Sequence, residues 1–215
     1  MSSKVNLSTT AANAAADAIA ALANNGYIRE YAGTQPADCA TAISTQTLLA
    51  EKRFNATAFG AAVAGLITAN AIAAVTIAAS GVANFFRALK SDGTTVLFDG
   101  AISNQTVTLS AQANAAATSL AVTALSLPLY NGMDLWFLDV AAGNVLRKAS
   151  VNDGGAAGAV AAAAGAISVP VSALAATIPS GSTAVGAMVV NSPNYQQNAQ
   201  AATSSLTHQV SLVGS

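Results

Sequence analysis

After Asp153 the chain runs for 62 residues without a single Asp, Glu, Lys or Arg. His208 is the only side chain in that stretch that titrates near neutrality. Over the whole sequence 8% of residues are charged, against roughly 25% in an ordinary soluble domain. Surface charge is what normally keeps folded chains apart, so a sequence this poor in it is expected to have much of its surface covered by neighbouring protein. About a quarter of the residues are alanine, and the 53% hydrophobic content therefore overstates the apolar area available for burial. A chain of 215 residues can still bury a sizeable core, as one large domain or two small ones.

The same scarcity excludes whole classes of partner. The net charge is −1, and the eight Lys and Arg are scattered, with only Lys52-Arg53 and Arg147-Lys148 adjacent. No stripe exists to neutralise phosphates, so nucleic-acid binding is not expected. The single cysteine, Cys39, rules out an internal disulfide framework and any multi-cysteine metal site, and reads as a small semi-buried residue. The start, Met1-Ser2-Ser3-Lys4-Val5-Asn6, is polar and unlike a signal peptide. No charge occurs between Arg53 and Arg87, but the span is rich in Ala, Gly and Thr with Asn70 inside it. Its cluster Ile72, Val75, Thr76 and Ile77 suits strand better than a membrane helix.

Along the chain, an alanine-filled helix is expected over residues 9–24. Ser8, Thr9 or Thr10 can cap it, Ile19 and Leu22 form its ridge, and Asn24-Asn25-Gly26 stops it. Short strands and turns follow: Tyr27 to Tyr31, Thr47 to Phe54, Ala58 to Thr68, Ala71 to Ala79, Val82 to Leu89 and Thr95 to Phe98. Ser91-Asp92-Gly93-Thr94 between the last two is the strongest hairpin signal. Gln105 to Ala111 and Ser119 to Leu127 are further strand candidates, and Met133 to Val140 with Val145 to Val151 reads as a hairpin. Gly154 to Gly165 reads as loop. A weak internal duplication relates Ala116-Ala117-Thr118-Ser119-Leu120-Ala121-Val122, leading to Leu127-Pro128 and Gly132, with Ala164-Gly165-Ala166-Ile167-Ser168-Val169, leading to Ile178-Pro179 and Gly181. The expected fold is mainly β, an antiparallel β-sandwich or jelly-roll-like body with an N-terminal α-helix and a second, smaller β module. The division is expected at 1–110 for the helix and sandwich, 111–190 for the alanine-rich β module, and 191–215 for an extended arm.

Catalytic constellations are missing from the sequence. His208 has no carboxylate within ten residues, so no triad or metal site forms around it locally. Asp134 and Asp139 are five apart on a strand and face opposite sides, which makes them poor acid–base partners. Asp92 is explained by turn chemistry. The glycines at 154, 155 and 158 are followed by no lysine, so no phosphate-cradling loop is present. Trp136 and Phe137 could stack on sugars, though a hairpin core explains them as well. No catalytic residue, metal ligand or cofactor is expected, and the chain does not read as an enzyme.

The run Asn24-Asn25-Gly26-Tyr27-Ile28-Arg29-Glu30-Tyr31-Ala32-Gly33-Thr34-Gln35-Pro36-Ala37-Asp38 resembles the opening of a family of small tailed-bacteriophage virion structural proteins. Thr47-Leu48-Leu49-Ala50-Glu51, Ala58-Phe59-Gly60-Ala61-Ala62, Thr68-Ala69-Asn70-Ala71-Ile72, Phe86-Arg87 and Ser91-Asp92-Gly93-Thr94-Thr95 through Phe98-Asp99-Gly100 resemble it in the same order and approximate spacing, over residues 5–103. The chain departs from the family at Lys52-Arg53, where a more apolar strand is usual, and by continuing for a further hundred residues. That continuation is similar in style to β modules of phage capsid-decorating and head-fibre proteins. The resemblance implies a virion protein made in the host cytoplasm, most simply a capsid decoration or cement protein that binds the major capsid protein or other virion proteins. A tail- or fibre-associated protein involved in host attachment is the alternative. It supplies no binding residues to carry over.

The charge-free end adds one expectation of its own. Leu206, Val210, Leu212 and Val213 lie close together with no charge beside them, at spacings that suit a short helix or a strand. They are the candidate interface residues, through which an extended arm would add to a neighbour's sheet edge in a homo-oligomer or lattice.

Overall fold

The computed structural model describes residues 7–139, 142, 145–184, 188–190 and 193–209. Its single helix, α1 (Thr9–Leu22), starts where the Ser8 side chain accepts a hydrogen bond from the Ala11 amide at 3.2 Å. Ala12, Ala16 and Ala20 form its buried face, so small side chains let the helix lie close on the sheet. Asn25 ends the segment in the left-handed region, with φ 56°, as an Asn tolerates. Gly26 serves a different need: a Cβ there would stand 2.2 Å from the Leu89 carbonyl oxygen.

Among the described residues every other regular element is a β-strand, so the fold is mainly β as the sequence leads one to expect. The first core is built on β1 (Tyr27–Ala32), β2 (Thr47–Arg53), β3 (Leu66–Thr68), β4 (Val75–Thr76), β5 (Gly81–Val82), β6 (Phe85–Leu89) and β7 (Val96–Ser103). The second is built on β8 (Val107–Thr108), β9 (Ser119–Ala121), β10 (Leu129–Tyr130), β11 (Asp134–Asp139), β12 (Val145–Ser150), β13 (Val160–Ala162), β14 (Ser168–Pro170) and β15 (Thr183–Ala184). The chain then returns as β16 (Met188–Val190), β17 (Asn194–Tyr195), β18 (Gln200–Ala201) and β19 (Thr203–Gln209). The long apolar runs 58–68 and 71–79 hold only the short β3 and β4, because alanine gives a strand little to pack.

The main sheet has the order β2-β1-β6-β7-β16-β19-β3. Strand β6 lies inside it and is buried along its whole length, as a strand covered on both faces must be. Phe86 meets Phe98 edge-on at 6.0 Å, and Tyr31 stacks on Phe85 at 5.2 Å. Strands β6 and β7 join through the expected Asp92-Gly93 turn, with Gly93 at φ +70°. One pairing breaks the antiparallel rule: β16 lies parallel to β7, Met188 opposite Ile102. Adjacent parallel strands need a long crossover connection, and here the crossover is the entire second lobe. That lobe is an insertion between two neighbouring strands of the first.

The second lobe is a duplication, closer than its sequence suggests. Ser119 and Ser168 share a 2.8 Å hydrogen bond across 49 residues, and the same offset relates structural equivalents on both sides. Leu120 and Val169 are both fully buried and pair in the β9–β14 ribbon. Val122 matches Val171, Leu125 matches Leu174 and Leu129 matches Ile178, all of them core residues. Ala116 and Gly165 both take positive φ, 66° and 84°, as do Gly132 and Gly181. Backbone bonds come in reciprocal pairs, such as Val122 N to Ile167 O with Val171 N to Thr118 O. The four-stranded sheet, β12-β11-β15-β8, alternates strands of the two copies about a pseudo-two-fold axis. The second copy differs by an insertion around residues 153–159, inside the glycine-rich run.

These facts redraw the division expected at 1–110, 111–190 and 191–215. One core collects residues from Ala16 to Ile102 together with Met188, Val190, Tyr195, Ala201 and Leu206. The other runs from Val107 to Ala184 and includes Val82. The described part of the supposed arm is therefore no arm: β17 pairs with β5, β18 with β4, and β19 lies between β16 and β3. A charge-free segment can stay out of solvent by joining its own chain's sheet as readily as a neighbour's. Cys39, read as semi-buried, is exposed.

Candidate functional site

The expected interface residues are not brought together as a surface. Leu206 is buried in the first core, 1% exposed, opposite Met188. Val210, Leu212 and Val213 lie outside the described residues. The backbone of His208 sits in β19 opposite Ile67. Among the described residues no three His, Cys, Asp or Glu side chains converge as a metal site. Among the described residues no helix is long and apolar enough to cross a membrane.

Two polar arrangements lie inside the first lobe. Lys52 and Glu30 are both fully buried, with Lys52 Nζ 2.5 Å from Glu30 Oε1. Lys52 also donates to Thr203 Oγ1 at 2.8 Å, and the Tyr195 hydroxyl donates to Glu30 Oε2 at 2.8 Å. Burial pulls the Lys52 ammonium below its ordinary pKa, against the attraction of Glu30. Burial, and then the Glu30 carboxylate, push the Tyr195 phenol far above its own. Four polar groups from β1, β2, β17 and β19 thus satisfy one another in a site closed to ligands. In the second arrangement Arg87 forks onto both oxygens of Asp99 at 2.8 and 2.7 Å and reaches the Thr41 carbonyl at 3.0 Å. A buried fork of this kind is a structural clamp.

Outside the first lobe, charge is concentrated on one hairpin, with Asp153 the one charged residue of residues 100–184 beyond it. Residues 100–133 contain no Asp, Glu, Lys or Arg, and neither do residues 154–184. Four of the five charged residues between them, Asp134, Asp139, Arg147 and Lys148, stand on the β11–β12 hairpin. Asp139 and Arg147 pair at 3.3 Å, and Lys148 reaches Asp134 at 2.7 Å. The register puts Leu135 and Phe137 on the face that carries Asp139, so Asp134 and Asp139 face opposite sides. Apart from the exposed Asp153, the rest of the duplicated lobe is uncharged, with Ile167 its most exposed large apolar residue at 69%.

A cleft of about 400 Å³ opens between the lobes. Gly33 and Asn84 line it from the first lobe, and Asp134, Lys148, Ser150 and Ala157 from the second. Asp134 Oδ1 accepts from Ser150 Oγ at 2.6 Å. The Lys148 ammonium also lies 5.8 Å from the centre of the Trp136 ring. Sequence reading weighed Asp134 and Trp136 only along one strand. The partners that complete the site, Lys148 and Ser150, follow from the hairpin register, and Asn84 from a contact between lobes that no local pattern encodes.

No family model, curated protein or solved structure matches this chain.

Proposed function

We propose that this protein is a bacteriophage virion structural protein, a capsid decoration or cement protein that stabilises the head by protein–protein contact. The observation that carries the reading is the duplicated lobe, whose surface away from one hairpin is free of charge over residues 100–133 and 154–184. Such a surface is poorly suited to a solitary soluble chain and well suited to being covered. The resemblance of residues 5–103 to small virion proteins points the same way. A cement protein acts by mass action, since whatever binds only the assembled shell stabilises it, and symmetry repeats each weak contact many times. Homo-oligomer formation and contact with the major capsid protein belong to this proposal.

Immunogold labelling of purified particles, with the protein measured by mass spectrometry, tests it. Label spread over heads at a fixed copy number is the expected result. Label restricted to tails or fibres would move the protein to host attachment, and its absence from particles would end the virion reading.

A further inference from the structure

We propose that Lys52 and Glu30 condense spontaneously into an intramolecular isopeptide bond, which ties the outer strand β2 covalently to β1. Both side chains are fully buried, and Lys52 Nζ stands 2.5 Å from Glu30 Oε1. The surroundings suit an amide better than an ion pair. Among the described residues Nζ has two acceptors, Glu30 Oε1 and Thr203 Oγ1, for the three hydrogens of an ammonium. Two buried charges also carry a desolvation cost that a neutral amide escapes. The amide keeps both outer partners: its N–H donates to Thr203 Oγ1, and its oxygen accepts from the Tyr195 hydroxyl.

The same contacts supply a route. Burial lowers the Lys52 pKa, which favours passing one Nζ proton to Oε1 and leaves a neutral amine beside a carboxylic acid. The Nζ lone pair then adds to Cδ, and the carbonyl electrons move onto Oε2. The Tyr195 hydroxyl donates to that oxygen at 2.8 Å and stabilises the charge gathering there. A second Nζ proton passes to Oε1, the Cδ–Oε1 bond breaks, and one water leaves. No co-reactant enters. Holding amine and acid in contact supplies an effective concentration of roughly 10⁵–10⁸ M, and exclusion of water opposes hydrolysis. Strand β2 ends the seven-stranded sheet, so the bond fastens the strand with a neighbour on one side only. The inference stands apart from the virion reading: neither needs the other.

Intact-mass spectrometry of the denatured full chain reads the bond directly. The wild type, shown by circular dichroism to have folded, is expected to weigh one water less than its sequence. Tandem spectrometry of a digest should join the peptide holding Glu30 to the one holding Lys52, which separates this loss from a succinimide elsewhere. Lys52→Arg keeps a cation but cannot form the amide, and should show the full sequence mass. Samples taken at intervals after cell-free synthesis follow the rate, and Tyr195→Phe should form the bond at least about a hundredfold more slowly. Full sequence mass in the folded wild type, or a water lost at any other residues, would overturn the proposal. So would the same loss in Lys52→Arg, or an unslowed reaction in Tyr195→Phe, since the route needs a donor at Oε2.

Discussion

The Tyr195 hydroxyl hydrogen-bonds Glu30 across 165 residues of chain, and with Thr203 it completes the surroundings of a Lys–Glu pair buried since β1 and β2. The last described strands are therefore part of the first lobe. Deleting residues 191–215 is expected to unfold that lobe, where a free arm would leave it intact. Loss of the cooperative unfolding transition and rapid proteolysis of residues 27–103 would register this.

The pair itself gives a graded series. Lys52→Met strands a buried carboxylate and should cost about 3–5 kcal/mol. Tyr195→Phe removes one hydrogen bond to a charged acceptor and should cost about 1.5–3 kcal/mol. The double variant Glu30→Gln, Lys52→Met should recover part of the loss from Lys52→Met. Urea denaturation of each measures the order.

The duplication predicts reciprocal effects at Ala116 and Gly165. Ala116 holds φ 66° with a Cβ, a conformation that costs roughly 1–2 kcal/mol. Ala116→Gly should gain about 0.5–1 kcal/mol after the added freedom of the unfolded chain. Gly165→Ala should lose a similar amount, because nothing lies within 4 Å of the added Cβ and only the backbone resists. Equal signs for the two changes would contradict the equivalence.

Gly26→Ala meets backbone rather than a movable side chain, with the new Cβ 2.2 Å from Leu89 O and 2.8 Å from Ala23 O. The loss should reach the upper end of the ~1–3 kcal/mol typical of overpacking. Thermal denaturation against the wild type is the measurement.

Acid should weaken the fold through its turn carboxylates. The Thr95 hydroxyl first, then the Thr95 and Thr94 amides, hold Asp92 far below the ordinary carboxylate range. Asn131 lowers the Asp153 pKa, and the Thr41 hydroxyl lowers that of Asp38. The folded pKa values lie below the unfolded ones, so this stabilisation is complete above the unfolded value of about 4 and is lost as pH falls through the folded values. Urea midpoints should match at pH 7 and 5 and fall below about pH 4. Asp92→Ala should lower the midpoint at pH 7 and flatten the acid limb.

The parts legible in sequence were those written locally. Ser8 and Asn25 mark the ends of α1, and Asp92-Gly93 marks its hairpin. Lys52 was harder: inside Glu51-Lys52-Arg53 it reads as solvated, yet the period-two alternation of β2 turns Glu51 and Arg53 outward and Lys52 inward. Leu206 and Tyr195 look like tail residues because nothing local reveals that β16 will pair in parallel with β7. The cleft was invisible for the same reason, since Asn84 and Lys148 meet only once the lobes are assembled.

Two fused copies are free to differ in ways that two separate subunits are not. A dimer of identical chains carries every feature twice. In this lobe the position equivalent to Asp134 is Thr183, and those equivalent to Lys148 and Ser150 are Thr106 and Thr108. One end has become polar while its counterpart stayed bland, and the module has acquired a front and a back. A chain with that asymmetry can bury one end against an ordered surface and turn the other outward, an orientation that a symmetric pair could never specify.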